Sequence, residues 1–106
     1  MTGYRILFGT RQDALRAEQR LEREHPGYGP AFADEFRTGV LAVLAQPRLY
    51  SPAADGPARL ETREYFIRRF NYRLVYALDG ETVVFVAVVH AKRRPRSWWR
   101  RLAGLN

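Results

Sequence analysis

The spacing of apolar side chains changes several times along this chain, and each change marks an element. Tyr4–Phe8 is a short aromatic and aliphatic run closed by Gly9, which predicts a first strand. In Arg11–Glu24 the apolar residues Ala14, Leu15, Ala17 and Leu21 recur at helical spacing among charged ones, so this segment predicts an amphipathic helix. His25-Pro26-Gly27-Tyr28-Gly29-Pro30 ends it, because Pro26 disfavours helical backbone at His25 and the glycines permit a turn. A second helix is expected over Pro30–Ala45: proline suits a first helical position, and Phe32, Phe36, Val40 and Val43/Leu44 line one face. Two helices joined by a short turn make an antiparallel hairpin.

Residues 46–62 carry Pro47, Ser51, Pro52, Asp55, Gly56 and Pro57 and predict a long loop. Three strands follow: Arg63–Arg69, the weakest in pattern, then Tyr72–Leu78 and Thr82–Val89, both rich in β-branched and aromatic residues. Asp79-Gly80 between the last two is a hairpin signal. Pro95–Leu102 predicts a short terminal helix. The fold class expected is therefore α+β: an N-terminal strand, an antiparallel helix hairpin, then a three-stranded antiparallel meander, with the helices packed on one face of an antiparallel sheet. Residues 1–106 form a single domain, and 92–106 form a basic C-terminal tail.

A two-residue turn at 79–80 would set Leu78 opposite Glu81, Tyr76 opposite Val83, Leu74 opposite Phe85 and Tyr72 opposite Ala87. Side chains alternate across a sheet. One face would carry Tyr72, Leu74, Tyr76, Val83, Phe85, Ala87 and Val89; the other Arg73, Val75, Ala77, Val84, Val86, Val88 and His90. In this register Arg73 pairs with Val86, His90 shares its face, and continued pairing would set His90 opposite Arg69. Both faces are apolar apart from Arg73 and His90, whereas a sheet with one wet face alternates. The helices cover one face, so the second needs cover from the tail, a second copy or a protein partner.

Composition narrows the chemistry. With 106 residues and 46% apolar side chains, the chain suits one folded domain, and the lack of cysteine removes disulfides, thiolate nucleophiles and cysteine zinc sites. No window approaches the ~18 apolar residues of a membrane span, so no membrane association is expected and the default location is the cytoplasm. The formal net charge is +7. Residues 1–64 are balanced, so the excess lies in 65–106, tightest at Lys92, Arg93, Arg94, Arg96, Arg100 and Arg101. Such a field attracts polyanions: nucleic acid, an acidic protein surface or anionic lipid.

His25 and His90 stand apart with no ligand-spaced neighbours, so no metal site is expected, and no cofactor motif is present. Glu22/Glu24 and Asp34/Glu35 read as helix-surface charge. Arg73, His90 and the following Lys92, Arg93 and Arg94 could hold a phosphodiester, the histidine moving a proton while arginines stabilise charge. Equally, His90 could end a strand with solvated arginines around it. Trp98 and Trp99 among arginines have the makings of a contact surface, though at least one is expected to pack on the core.

The order of these pieces resembles the RelE/ParE superfamily of small toxins in bacterial type II toxin–antitoxin systems. The residues that carry the likeness are His25-Pro26-Gly27-Tyr28-Gly29 leading into Phe32-Ala33-Asp34-Glu35-Phe36, then Gln46-Pro47, then Arg69-Phe70-Asn71-Tyr72-Arg73-Leu74-Val75-Tyr76, and finally Ala87-Val88-Val89-His90-Ala91-Lys92-Arg93-Arg94-Pro95 with Trp98. The helix turn and the final run are most similar to the ParE, or plasmid-stabilisation, branch. The resemblance implies a growth-arresting toxin neutralised by a cognate antitoxin in a hetero-oligomer, most similar to those that inhibit DNA gyrase, with Arg73, His90, Arg93, Arg94 and Trp98 as target-binding residues. The alternative it implies is a RelE-like, ribosome-dependent mRNA endoribonuclease with Arg73, His90 and Arg93 as catalytic residues, partnered by ribosome and mRNA. A non-toxic nucleic-acid-binding module is the second alternative. Arg73 and Arg93 match arginines of the mRNA-cleaving branch. That branch's C-terminal tyrosine is replaced by Trp99, and its pair of lysines by Glu64-Tyr65-Phe66. These departures favour the gyrase reading, and no assignment as an enzyme follows.

Overall fold

A computed structural model describes residues 3–93 and 95–105. The chain runs β1 (Gly3–Ile6), α1 (Phe8–Glu24), α2 (Tyr28–Ala45), β2 (Glu61–Ile67), β3 (Tyr72–Asp79) and β4 (Thr82–His90), with a 3₁₀ turn at Arg68–Phe70 and a 3₁₀ helix at Ser97–Leu102. The α+β class and the β2–β3–β4 antiparallel meander are as the sequence predicts. The sheet is mixed rather than antiparallel throughout: its order is β1-β4-β3-β2, and β1 lies parallel to β4. A parallel neighbour needs a long crossover, and here the helix hairpin, β2 and β3 all lie between β1 and β4 in the chain.

Both helices start earlier than the spacing suggests. β1 ends at Ile6, and α1 begins at Phe8, whose side chain is largely exposed. α2 has no side-chain cap from its own N-cap residue, Gly27. Glu22 of α1 takes that role, its Oε1 accepting the N–H groups of Gly27 and Gly29, each at 2.9 Å. A carboxylate at a helix N-terminus satisfies donors that the helix leaves open. The glutamate that reads as surface charge therefore locks the turn.

The last hairpin differs from the expected register by two residues, with Asp79 opposite Thr82 and Gly80-Glu81 as the turn. Gly80 has φ of 61° and Glu81 does not share a positive φ, as in a type II′ turn. A bulge then falls between Tyr76↔Phe85 and Val75↔Ala87. It exchanges the faces of the residues beyond it. Val88 and His90 join Tyr72 and Leu74 on the helix face, while Ala87 and Val89 join Arg73 and Val75 on the other. Arg73 thus pairs with Val89, and His90 pairs with Tyr72, not with Arg69.

Two cores result. Between helices and sheet lie Leu21, Phe32, Val40 and Val43 with Ile67, Leu74, Tyr76, Val83, Phe85 and Val88. Tyr76 is fully buried, and its hydroxyl donates to the Pro47 carbonyl at 2.6 Å. Burial pushes its pKa up to about 12, against the opposing charge of Arg63. An unfolded tyrosine ionises near 10, so between pH ~10 and ~12 the unfolded chain binds fewer protons and stability falls as pH rises, by roughly 2–3 kcal/mol in full. Urea titrations across that range should show the fall for the wild type and a shallower one for Tyr76→Phe.

On the opposite face, Val75, Ala77, Val84, Val86 and Ala87 are covered by Trp98, Leu102 and Leu105 of the tail and by Ala53 and Leu60 of the loop. The cover for the second apolar face is therefore the chain's own tail, and a two-faced sheet is no longer an argument for a partner.

Candidate functional site

Arg73 projects from β3 into the tail-side layer and is fully buried. Its Nη1 donates to Asp55 Oδ1 at 2.8 Å and Glu64 Oε1 at 3.1 Å, and its Nη2 to Asp55 Oδ2 at 2.5 Å and the Arg93 carbonyl at 3.0 Å. Glu64 lies on β2 along the same face, and Asp55 comes from the long loop. Burial alone would lower the Arg73 pKa, but hydrogen bonds and charge from Asp55 and Glu64 outweigh it and raise it. The guanidinium is a fixed cation enclosed by two carboxylates.

The tail is stitched over this cluster. Trp98 is 1% exposed and sits in the core. Trp99 Nε1 donates to the Asp55 carbonyl at 2.9 Å, with the Arg96 guanidinium over its ring. Arg59 returns the link, donating to the Leu105 carbonyl at 2.8 Å. Arg101 reaches past the sheet to Asp13 of α1, its Nη1 and Nη2 on the two carboxylate oxygens at 2.7 and 3.2 Å, and also donates to the Val86 carbonyl at 2.9 Å. Asp13 Oδ2 accepts the Val88 N–H at 3.1 Å. β1 stops short of this part of β4, so Asp13 and Arg101 satisfy backbone groups beside the bulge. Gly9 makes room: a Cβ there would meet the Arg101 guanidinium at 2.5 Å.

His90 and Arg73 stand on opposite faces of the sheet, so the structure does not assemble the expected Arg73–His90–Arg93 constellation. His90 packs edge-to-face with Tyr72, ring centroids 5.5 Å apart, and its Nδ1 accepts the Lys92 N–H at 3.3 Å. Arg93 is exposed on the same rim. Arg94 lies outside the described residues. A cleft on the helix side gathers groups that the sequence does not single out: Arg16, Arg20 and Tyr72 line it with His90 and Arg93. Nothing in the local sequence joins them, since α1 contributes two and the ends of β3 and β4 the rest. Among the described residues no group of three metal-ligating side chains is found, and no helix is long and apolar enough to cross a membrane.

A second surface is apolar. A groove of about 540 Å³ between α1, α2 and β1 is lined by Tyr4, Ile6, Leu15, Phe36, Val40 and Leu41, among others. Leu15 and Leu41 are 51% and 61% exposed there.

No curated protein matches this chain significantly. The family model described as the ParE toxin of the type II toxin–antitoxin system parDE matches residues 11–95. That span runs from α1, through the helix turn and all three meander strands, to the basic rim. With the strand, helix hairpin and meander in the expected order, the chain belongs to the ParE toxin family of type II toxin–antitoxin systems.

Proposed function

We propose that this toxin arrests growth by inhibiting DNA gyrase through its basic C-terminal surface, with Arg93 and Arg94 as contact residues. Trp98 serves that surface from within the core and holds the tail in place. One observation carries the choice of a non-cleaving mode: Arg73, the cation an RNA-cleaving relative would aim at phosphate, is enclosed by Asp55 and Glu64 on the face opposite His90. General acid–base work needs its groups within reach of one substrate, and these two are separated by the sheet. The cognate antitoxin covers the apolar groove between α1 and α2. A toxin family implies that partner, and an amphipathic segment would bury the exposed leucines.

The test is controlled expression in a bacterial host lacking antitoxin. Growth should stop with DNA breakage or altered plasmid supercoiling while transcripts stay intact, and His90→Ala should retain most of the effect. Fragmented transcripts, abolished by His90→Ala, would overturn the gyrase reading. Co-expressed antitoxin should restore growth for the wild type and fail to do so for the Leu15→Arg/Leu41→Arg variant. Rescue of that variant would rule out the groove.

A further inference from the structure

We propose that the cleft between α1 and the ends of β3 and β4 is a phosphate-binding site, formed by Tyr72, Arg20, Arg16, Arg93 and His90, and that it takes a backbone phosphate of nucleic acid. The cleft encloses about 270 Å³, room for one phosphate with part of its sugar.

Tyr72 is 6% exposed and packed on Phe32 and His90. Among the described residues no hydrogen bond reaches its hydroxyl. The ring is packed in the core while the hydroxyl, at the wall of the polar cleft, makes no hydrogen bond to a described residue, so it is placed to donate to an anion bound there. Burial raises its pKa, with Arg20 and Arg93 opposing and Glu24 adding to the rise, so the phenol stays protonated at neutral pH and can donate to an anion.

The surrounding charge selects an anion. Arg20 lies over the Tyr72 ring, 5.5 Å from its centroid. Its acidic partner is Glu24, 3.6 Å away at the exposed surface, a pairing that holds an arginine weakly. Arg16 contacts Asp13 at 3.5 Å. Asp13 is already held by Arg101 at 2.7 Å and by the Val88 N–H, so its charge is largely answered from behind. Guanidinium groups bind phosphate oxygens in pairs. A polymer phosphate is favoured over a free one because exposed cations continue on the helix side, Arg69 over the Tyr28 and Phe70 rings and Lys92 beside His90, more positive charge than one phosphate needs.

The inference stands apart from the gyrase reading, since its test uses the purified protein and no topoisomerase. Tyr72→Phe keeps the ring and removes the hydroxyl. It should weaken binding of a fluorescently labelled DNA oligonucleotide about tenfold, the loss expected for one hydrogen bond to a charged group. Arg20→Gln should weaken it as well and lower the salt slope by about one. Arg48→Gln, in the loop after α2 and paired with Glu61 at the exposed surface, is the control and should bind as the wild type. Wild-type affinity in both cleft variants, with melting curves unchanged, would overturn the proposal. Inorganic phosphate moving the Tyr72 and His90 NMR signals where the oligonucleotide leaves them unmoved would also overturn the nucleic-acid assignment.

Discussion

Trp98→Ala should lower the stability of the isolated protein by about 3–5 kcal/mol, the range for emptying a buried indole site. Its ring is the largest fully buried side chain, and it seals the tail-side core against Val75, Val84 and Val86. For a domain of this size that loss corresponds to a melting temperature lower by about 12 °C or more, readable by circular dichroism. Losing Trp98 also leaves Arg73 and its carboxylates under a looser lid, so the loop from Gln46 to Leu60 should become protease-sensitive together with the tail. Trp98→Phe separates the two roles a tryptophan could have. Among the described residues the Trp98 Nε1 is buried without a partner, so phenylalanine removes an unsatisfied donor while filling most of the space. If Trp98→Phe keeps both fold and toxicity, Trp98 acts by packing. If it folds and is inert, the indole is needed to set the tail surface that meets the target.

Arg73→Met should be of comparable size, about 3–5 kcal/mol, because it strands two buried carboxylates without their cation. The Asp55 and Glu64 side chains are 8% and 10% exposed, so water cannot replace the guanidinium at little cost. The loss shrinks if all three charges go together: Arg73→Met with Asp55→Asn and Glu64→Gln should recover much of it. A matching recovery in urea midpoint supports a structural cluster. No loss in Arg73→Met would mean the carboxylates are not sealed as described. It follows that loss of toxicity on replacing Arg73 does not identify a catalytic group unless the variant is shown to be folded. A thermal melt belongs beside every such growth assay.

The helix hairpin was legible because Phe32, Phe36 and Val40 repeat at a spacing no strand shares, and the meander because Tyr72–Leu78 and Thr82–Val89 are long and β-branched. The bulge was not. Val83-Val84-Phe85-Val86-Ala87-Val88-Val89 is apolar at every position, so no polar residue marks the point where the alternation slips by one. That slip moved His90 away from Arg73. The partner of Arg73 was hidden for another reason. Asp55 sits in an irregular loop, where no period fixes which way a side chain points. Arg93 was visible as part of a charge run, whereas Arg16, Arg20 and Tyr72 became a site only when α1 lay across the end of β4. The parallel pairing of β1 was likewise a matter of topology. A short strand carries no record of its neighbour's direction.

The strut from Arg101 to Asp13 closes a span of 88 residues, and β1 reaches β4 over nearly as much chain. Contacts this distant in sequence are slow to form. They also impose an order on biosynthesis. On the ribosome, α1 and α2 can form as they emerge, but the sheet lacks its lid until the segment after β4 that carries Trp98, Leu102 and Leu105 is made. The nascent toxin therefore carries an open apolar face until that segment has emerged. Any antitoxin that recognises the helix hairpin alone has its binding surface presented before the poison is assembled.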